Sequence, residues 1–335
     1  LFHTKVFNSG YAGVDIFFVI SGFIMGTVGG GEQPREFFLL RLIRIVPLYW
    51  SVTLAMCVLS LIPGLFRTFA FDVTSLVKSI LFIPYSDPTG HIWPLVVAGW
   101  TLNYEMFFYL IFTIGLVLGM PRLFSSMVIL LLVTLGLTIQ FNAAFARTYT
   151  DPILLEFVAG MLLSWIPWLR GFWLGVGQLA LGLGVLTFIA FGHVDPGDGI
   201  SRLIWLGLPC FALVSGALAL ERGADWPHLK YLIVLGDASY SLYLLHGFIV
   251  RIFERLPHIH PAVNAIVVIV LSSVAAVVCY RFFELPTMRL LRRAFGLRKT
   301  TGRPSGRITG VPVAPDCSAP ESGDQLIRSS DKLHA

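Results

Sequence analysis

Four ionisable side chains stand inside otherwise apolar text: His3 in LFH, Asp15 in GVDIFF, Glu105 in WTLNYEMFFY and His246 in YSLYLLH. Burying such groups in hydrocarbon is costly, so each needs a partner or a task. A histidine beside a carboxylate suits one task in particular. Its ordinary pKa of about 6.5 leaves the neutral base available at neutral pH, and the carboxylate stabilises the imidazolium formed when it takes a proton. A hydroxyl activated in this way attacks an acyl carbon. The plainer alternative is that His3 and Asp15 satisfy each other inside a helix bundle. For His246, with Ser239, Tyr240, Ser241 and Tyr243 as neighbours in sequence, the structural alternative is hydrogen bonding between helices.

A second group lies in GGGEQPREFFLLRLIRIVPLYW, residues 29–50. Pro34 suits a first helical turn. Arg41 and Arg44, three apart, share a helix face, and two guanidinia at a membrane boundary can clamp phosphates such as those of coenzyme A. The alternative is that they contact lipid head groups and set topology. Gly29 to Gly31 precede no Lys-Ser/Thr pair, which excludes a P-loop.

The elements that must hold these groups are membrane helices. Of the 335 residues, 56% are hydrophobic and 13% charged, against roughly a quarter charged in soluble domains. Apolar stretches long enough to cross a bilayer recur at Tyr11–Val28, Ile45–Leu65, Trp100–Met120, Ser125–Phe141, Pro152–Leu169, Phe172–Gly192, Leu203–Leu220, Tyr231–Phe253 and Pro261–Tyr280. That makes about nine complete spans, and Leu1–Phe7 reads as the end of a truncated first helix, giving about ten in the intact protein. The expected fold is an all-α polytopic bundle over residues 1–297, followed by a polar, Gly/Pro/Ser-rich cytoplasmic tail, 298–335, expected to be disordered.

Alternate loops differ in Lys and Arg content by roughly two to one, which assigns the richer set, with Arg35, Arg41, Arg44 and Arg281–Lys299, to the cytoplasm. Arg202 falls in the poorer, outer set. On this topology His3, Asp15, Glu105 and His246 all fall in the outer half of the bundle. The net charge of +5 follows topology and anionic lipid, and no basic stripe interleaved with aromatics suggests nucleic acid. Cys57, Cys210, Cys279 and Cys317 have no paired spacing, so neither a disulfide framework nor a metal site is expected.

These segments together resemble the acyltransferase-3 family of integral membrane acyltransferases, and more narrowly its exopolysaccharide O-acetyltransferase branch. The resemblance rests on LFH at 1–3, GVDIFFVISGFIM at 13–25, FFLLRLIRIVPLY at 37–49 and GWTLNYEMFFY at 99–109. SYSLYLLH at 239–246 and FELP at 283–286 add support. It implies a ten-helix bundle of a bacterial inner membrane that passes acetyl from cytoplasmic acetyl-coenzyme A, without a metal, to a sugar hydroxyl of a cell-surface glycan, free or lipid-linked, alongside polysaccharide synthesis machinery. The family's first-helix histidine looks like His3, its paired arginines like Arg41 and Arg44, and its fourth-helix glutamate like Glu105. The family also carries a basic residue upstream of that histidine, and this sequence starts too late to contain it.

The expected catalytic set is therefore His3 as base, Asp15 to orient it, and Glu105 to position the acceptor or assist proton transfer. Arg41 and Arg44 would hold the donor, and Trp100, Tyr104 and His246 the acceptor. A transporter or flippase of a lipid-linked sugar is the rival from another class, since buried charges also line substrate paths. A succinyl or longer-chain acyltransferase is the rival within the class.

Overall fold

The computed structural model describes residues 12–28, 31–61, 72–166, 171–192, 194–223, 230–253 and 261–297. His3 lies outside the described residues, as do 298–335.

The fold is an all-α polytopic membrane bundle, with no strand among the described residues. The helices are α1 (Ala12–Val28), α2 (Pro34–Ser60), α3 (Val73–Ile80), α4 (Gly99–Val117), α5 (Pro121–Thr138), α6 (Ala144–Tyr149) and α7 (Leu155–Leu163). They continue as α8 (Phe172–Ala190), α9 (Ile200–Arg202), α10 (Leu208–Gly223), α11 (Lys230–Asp237), α12 (Ser239–Phe253), α13 (Pro261–Cys279) and α14 (Leu285–Ala294). The described part of each of the nine apolar stretches is mostly helix. Among the described residues, six helices are long and apolar enough to cross a membrane unaided, and Ala12–Thr27 is a shorter apolar helix.

Three departures from the expected boundaries matter. α2 is one 27-residue helix that starts at Pro34 and tolerates Pro47 inside it, so Arg41 lies about 10 Å along the helix rather than at its edge. The Pro152–Leu169 stretch opens with a 3-10 turn, Pro152–Leu154, capped by Asp151 through Ile153 N at 2.9 Å, and α7 then runs only to Leu163. The helices after 200 and 261 each contain a π-helical turn, at Leu203–Gly207 and Tyr280–Glu284. Such turns widen a helix by one residue and often mark functional positions.

The core is aromatic. Phe18 of α1 packs on Phe157 of α7 at 4.6 Å, Phe157 on Phe108 of α4 at 4.4 Å, and Phe112 of α4 on Phe37 of α2 at 5.1 Å between ring centroids. This run of rings ties four helices together. Between α1 and α7 the backbones themselves touch: a Cβ added at Gly22 would stand 2.1 Å from the Phe157 carbonyl oxygen, and one at Gly160 would stand 2.0 Å from that of Val19. Apolar burial gives membrane helices no reason to prefer each other over lipid, so this close approach through glycine is what holds the pair.

Between α2 and α4, α3 is anchored by Trp50, whose Nε1 donates to the Ile80 carbonyl at 3.0 Å. Asp72 caps α3 by accepting from Ser75 N at 2.8 Å. Hydrogen bonds from the Ser75 side chain and backbone hold its carboxyl below the usual range. A depressed folded pKa means that the cap stabilises α3 at neutral pH and is lost as pH falls from about 4 through the folded value. Hydrogen exchange of the amides from Val73 to Ile80 is therefore expected to quicken in that acid window. In Asp72→Asn, which caps without titrating, the acid step disappears.

Candidate active site

The first charged cluster forms where α1 begins. Asp15, fully buried, accepts a forked pair of bonds from Arg202, Nε to Oδ1 at 3.3 Å and Nη2 to Oδ2 at 2.9 Å. Two-pronged pairing of this kind fixes the geometry as well as the charge. Sequence reading left Arg202 in an outer loop. It lies instead in the first turn of the α9–α10 helix, its side chain 16% exposed, because the carboxylate of Asp15 compensates its burial. The guanidinium also stands 5.7 Å from the Trp100 ring, and Trp100 meets Tyr104 edge-on at 5.8 Å. Glu156, in the first turn of α7, is buried against the same group. Gly207, in the π turn, makes room for it: a Cβ there would come 2.9 Å from Glu156 Oε1.

The second cluster forms between α2, α4 and α12. Glu105 is buried and accepts a short hydrogen bond from Tyr109 one turn on. Arg41 and Arg44 are close enough for their charges to act on it. Because α2 extends unbroken from Pro34, its second and third turns come alongside the Glu105–Tyr109 pair, and Tyr109 packs edge-on against Phe37 at 6.3 Å.

The two arginines differ in their surroundings. Arg41 pairs with Glu32 at 3.5 Å, lies 4.4 Å from the centroid of the Phe37 ring, and reaches Met25 Sδ at 3.7 Å. Arg44 is exposed, with no hydrogen bond or ion pair among the described residues. Its charge acts on Glu105 and on Glu284, the last residue of the second π turn, which accepts from Ser241 at 2.6 Å. Tyr240 closes this cluster by donating to the Ile45 carbonyl at 2.7 Å.

α4 separates the clusters. Trp100 and Tyr104, four apart, share the face toward Arg202 and Phe18, and Thr101 and Glu105 share the adjacent face. Thr101 and Tyr243 hydroxyls bond at 2.8 Å, and Tyr243 also donates to the Ala98 carbonyl at 2.9 Å. No hydrogen bond or ion pair joins Asp15 to Glu105 among the described residues. His246 is exposed on α12, where its Nδ1 donates to the Tyr243 carbonyl at 2.7 Å. The neutral ring then offers Nε2 as an acceptor.

The sequence reading missed Glu156, Arg202 and Glu284 as members of these clusters. Glu156 carries the signal that singled out Glu105, a carboxylate within an apolar stretch. Arg202 and Glu284 lie at the edges of such stretches, where charge is unremarkable.

Buried carboxylates, two guanidinia on one helix and an exposed histidine on α12 are tools for acyl transfer. The family profile described as "Acyltransferase domain" matches residues 1–281. The chain belongs to the acyltransferase-3 family. The matched part of this acyltransferase includes both clusters except Glu284. Among curated proteins, it is 36% identical over 315 residues to "Exopolysaccharide production protein ExoZ" of Rhizobium meliloti (strain 1021), covering 88% of this chain and 94% of the relative. It is 25% identical over 333 residues to "O-acetyltransferase OatA" of Staphylococcus aureus, covering 86% of this chain and 54% of that longer protein. No solved structure matches the acyltransferase.

Proposed function

We propose that this membrane acyltransferase takes acetyl from cytoplasmic acetyl-coenzyme A and places it on a sugar hydroxyl of an exopolysaccharide or related surface glycan, in a bacterial inner membrane. The observation that carries the reading is the pair of guanidinia on α2 beside the Glu105–Tyr109 pair, with Arg44 exposed and able to take an anionic ligand. The excess of Lys and Arg in alternate loops supports a cytoplasmic donor side. The names of the relatives support the acceptor and the acyl group: one is a protein of exopolysaccharide production, the other an O-acetyltransferase.

In this mechanism the donor's phosphates rest on Arg41 and Arg44. His3 removes the proton of the acceptor hydroxyl as its oxygen attacks the thioester carbon. The C–S bond breaks, the acetyl group stays on the sugar oxygen, and the leaving thiolate takes up the proton to give free thiol. Asp15 orients His3 through lone pairs left over from its bonds to Arg202. Glu105, Trp100, Tyr104 and His246 hold the acceptor.

The test compares surface polysaccharide by NMR from cells carrying the intact gene, lacking it, or carrying Arg44→Ala. Loss of O-acetyl signals with the gene is expected. In membranes, Arg44→Ala should raise the donor KM about 10- to 100-fold, the size expected for a charge-assisted contact of roughly 1.5–3 kcal/mol. Arg44→Lys should recover only part of it. Unchanged O-acetylation in the deletion strain would end the proposal, and succinyl signals lost in place of acetyl would move it to another donor.

A further inference from the structure

Beside the Asp15–Arg202 pair lies one carboxyl group that the mechanism above does not use. Glu156 is 1% exposed, and neither of its carboxyl oxygens has a hydrogen-bond donor among the described residues. It stands opposite Asp15, itself fully buried: one turn on in each helix, Gly160 of α7 meets the backbone of Val19 of α1. Two ionised carboxylates in this position would repel each other and would leave the cluster with an uncompensated charge in an apolar interior. A proton between them removes both problems.

We infer that Glu156 is a neutral carboxylic acid that donates its proton to Asp15, completing an acid–carboxylate–guanidinium triad with Arg202 that positions the entry turn of α1. The proton sits on Glu156 because Asp15 already accepts two bonds from Arg202, whereas Glu156 accepts none. The carboxyl is confined as well, since Gly207 of the π turn backs directly onto Oε1.

The groups facing the pair from the packed elements do not supply a second cation. Arg202 is the positive charge that acts most strongly on Glu156 among the described residues. Asp151 before α7 adds negative charge, with Arg147 of α6 and Asp198 before α9 acting on Asp151 in turn. Tyr104 of α4 and Cys210 of α10 also lie near, and the Cys210 thiol is turned to the Ala12 carbonyl at 3.5 Å. With one proton, Asp15, Glu156 and Arg202 sum to zero.

The triad gives α7 and α9 a common hold on α1 one turn after its start. Asp15 can then present its remaining lone pairs in a fixed direction, and Glu156 is a positioning residue for the group proposed to bond Asp15. This consequence rests on the acyl-transfer reading, but the protonation of Glu156 does not.

The experiment uses the full-length purified protein at neutral pH. Infrared spectra in H2O and D2O locate the C=O stretch of protonated carboxylic acids, and Glu156→Gln is compared with the native chain. An amide keeps the shape and the donated bond without a titratable proton. The variant is expected to lose one isotope-sensitive acid band and to remain folded. The infrared comparison needs no donor or glycan, so it stands even if the proposed substrates are wrong. Identical acid bands in the two proteins would overturn the inference. So would an unfolded Glu156→Gln chain, because a neutral amide would then fail to replace a neutral acid.

Discussion

Arg202→Met is expected to destabilise the protein by about 3–5 kcal/mol, the usual cost of removing one partner from a buried ion pair. Asp15 is fully buried, and both of its oxygens face the guanidinium. Methionine fills much of the volume but leaves a carboxylate without its counter-charge. Thermal unfolding in detergent measures the loss, and acyl transfer is expected to fall with it by at least a hundredfold if Asp15 must be held in place. Arg202→Lys keeps the charge but not the fork and should lie between. The decisive control is the double variant Asp15→Asn/Arg202→Met, in which no charge is left uncompensated. Its destabilisation should fall short of the sum of the single changes by about 1–3 kcal/mol. Simple additivity would show that the pair does not act as a unit.

Gly160→Val is expected to have a larger effect still. The first added carbon would lie 2.0 Å from the Val19 carbonyl oxygen and 2.8 Å from Phe23 N. The obstacle is backbone on another helix rather than a side chain that can swing aside. The α1–α7 contact must separate, breaking the stack of Phe18 on Phe157 and moving Asp15 away from Glu156 and Arg202. A loss beyond about 4 kcal/mol is expected, enough to remove most of a domain's margin of stability. Size-exclusion chromatography of the detergent extract should show aggregate in place of the native peak. Gly177, which has open space where its Cβ would stand, supplies the contrast. Gly177→Ala should fold as well as the native chain or gain up to about 1 kcal/mol from helix propensity.

Length and apolarity alone located the long apolar helices, though not α3, α6 or α14, because hydrocarbon forces every backbone polar group into intrahelical bonds and only helices of sufficient span answer that need. Asp15, Glu105 and the two arginines stood out for the same reason: an ionisable group within a span is costly enough to be visible in one dimension. Sequence could not show which charge meets which. Asp15 and Arg202 are 187 residues apart, and no pattern in either segment specifies the other. Reading Ile45 as the start of a span also hid the continuity of α2, and with it the approach of Arg41 and Arg44 to Glu105. The π turns were beyond reach too, since one extra residue in a helix leaves no mark on hydropathy.

The distance in sequence between Asp15 and its counter-charge also bears on how the protein is made. At ribosomal rates of about 5–20 residues per second, roughly 10–40 s pass between synthesis of the acid and of its cation. A nascent α1 entering the bilayer in that interval would carry a naked carboxylate near its end, a burden of up to about 3 kcal/mol on insertion scales. The helix must therefore wait in the translocation channel, lie near the interface, or cross with its acid protonated until the α9–α10 segment emerges.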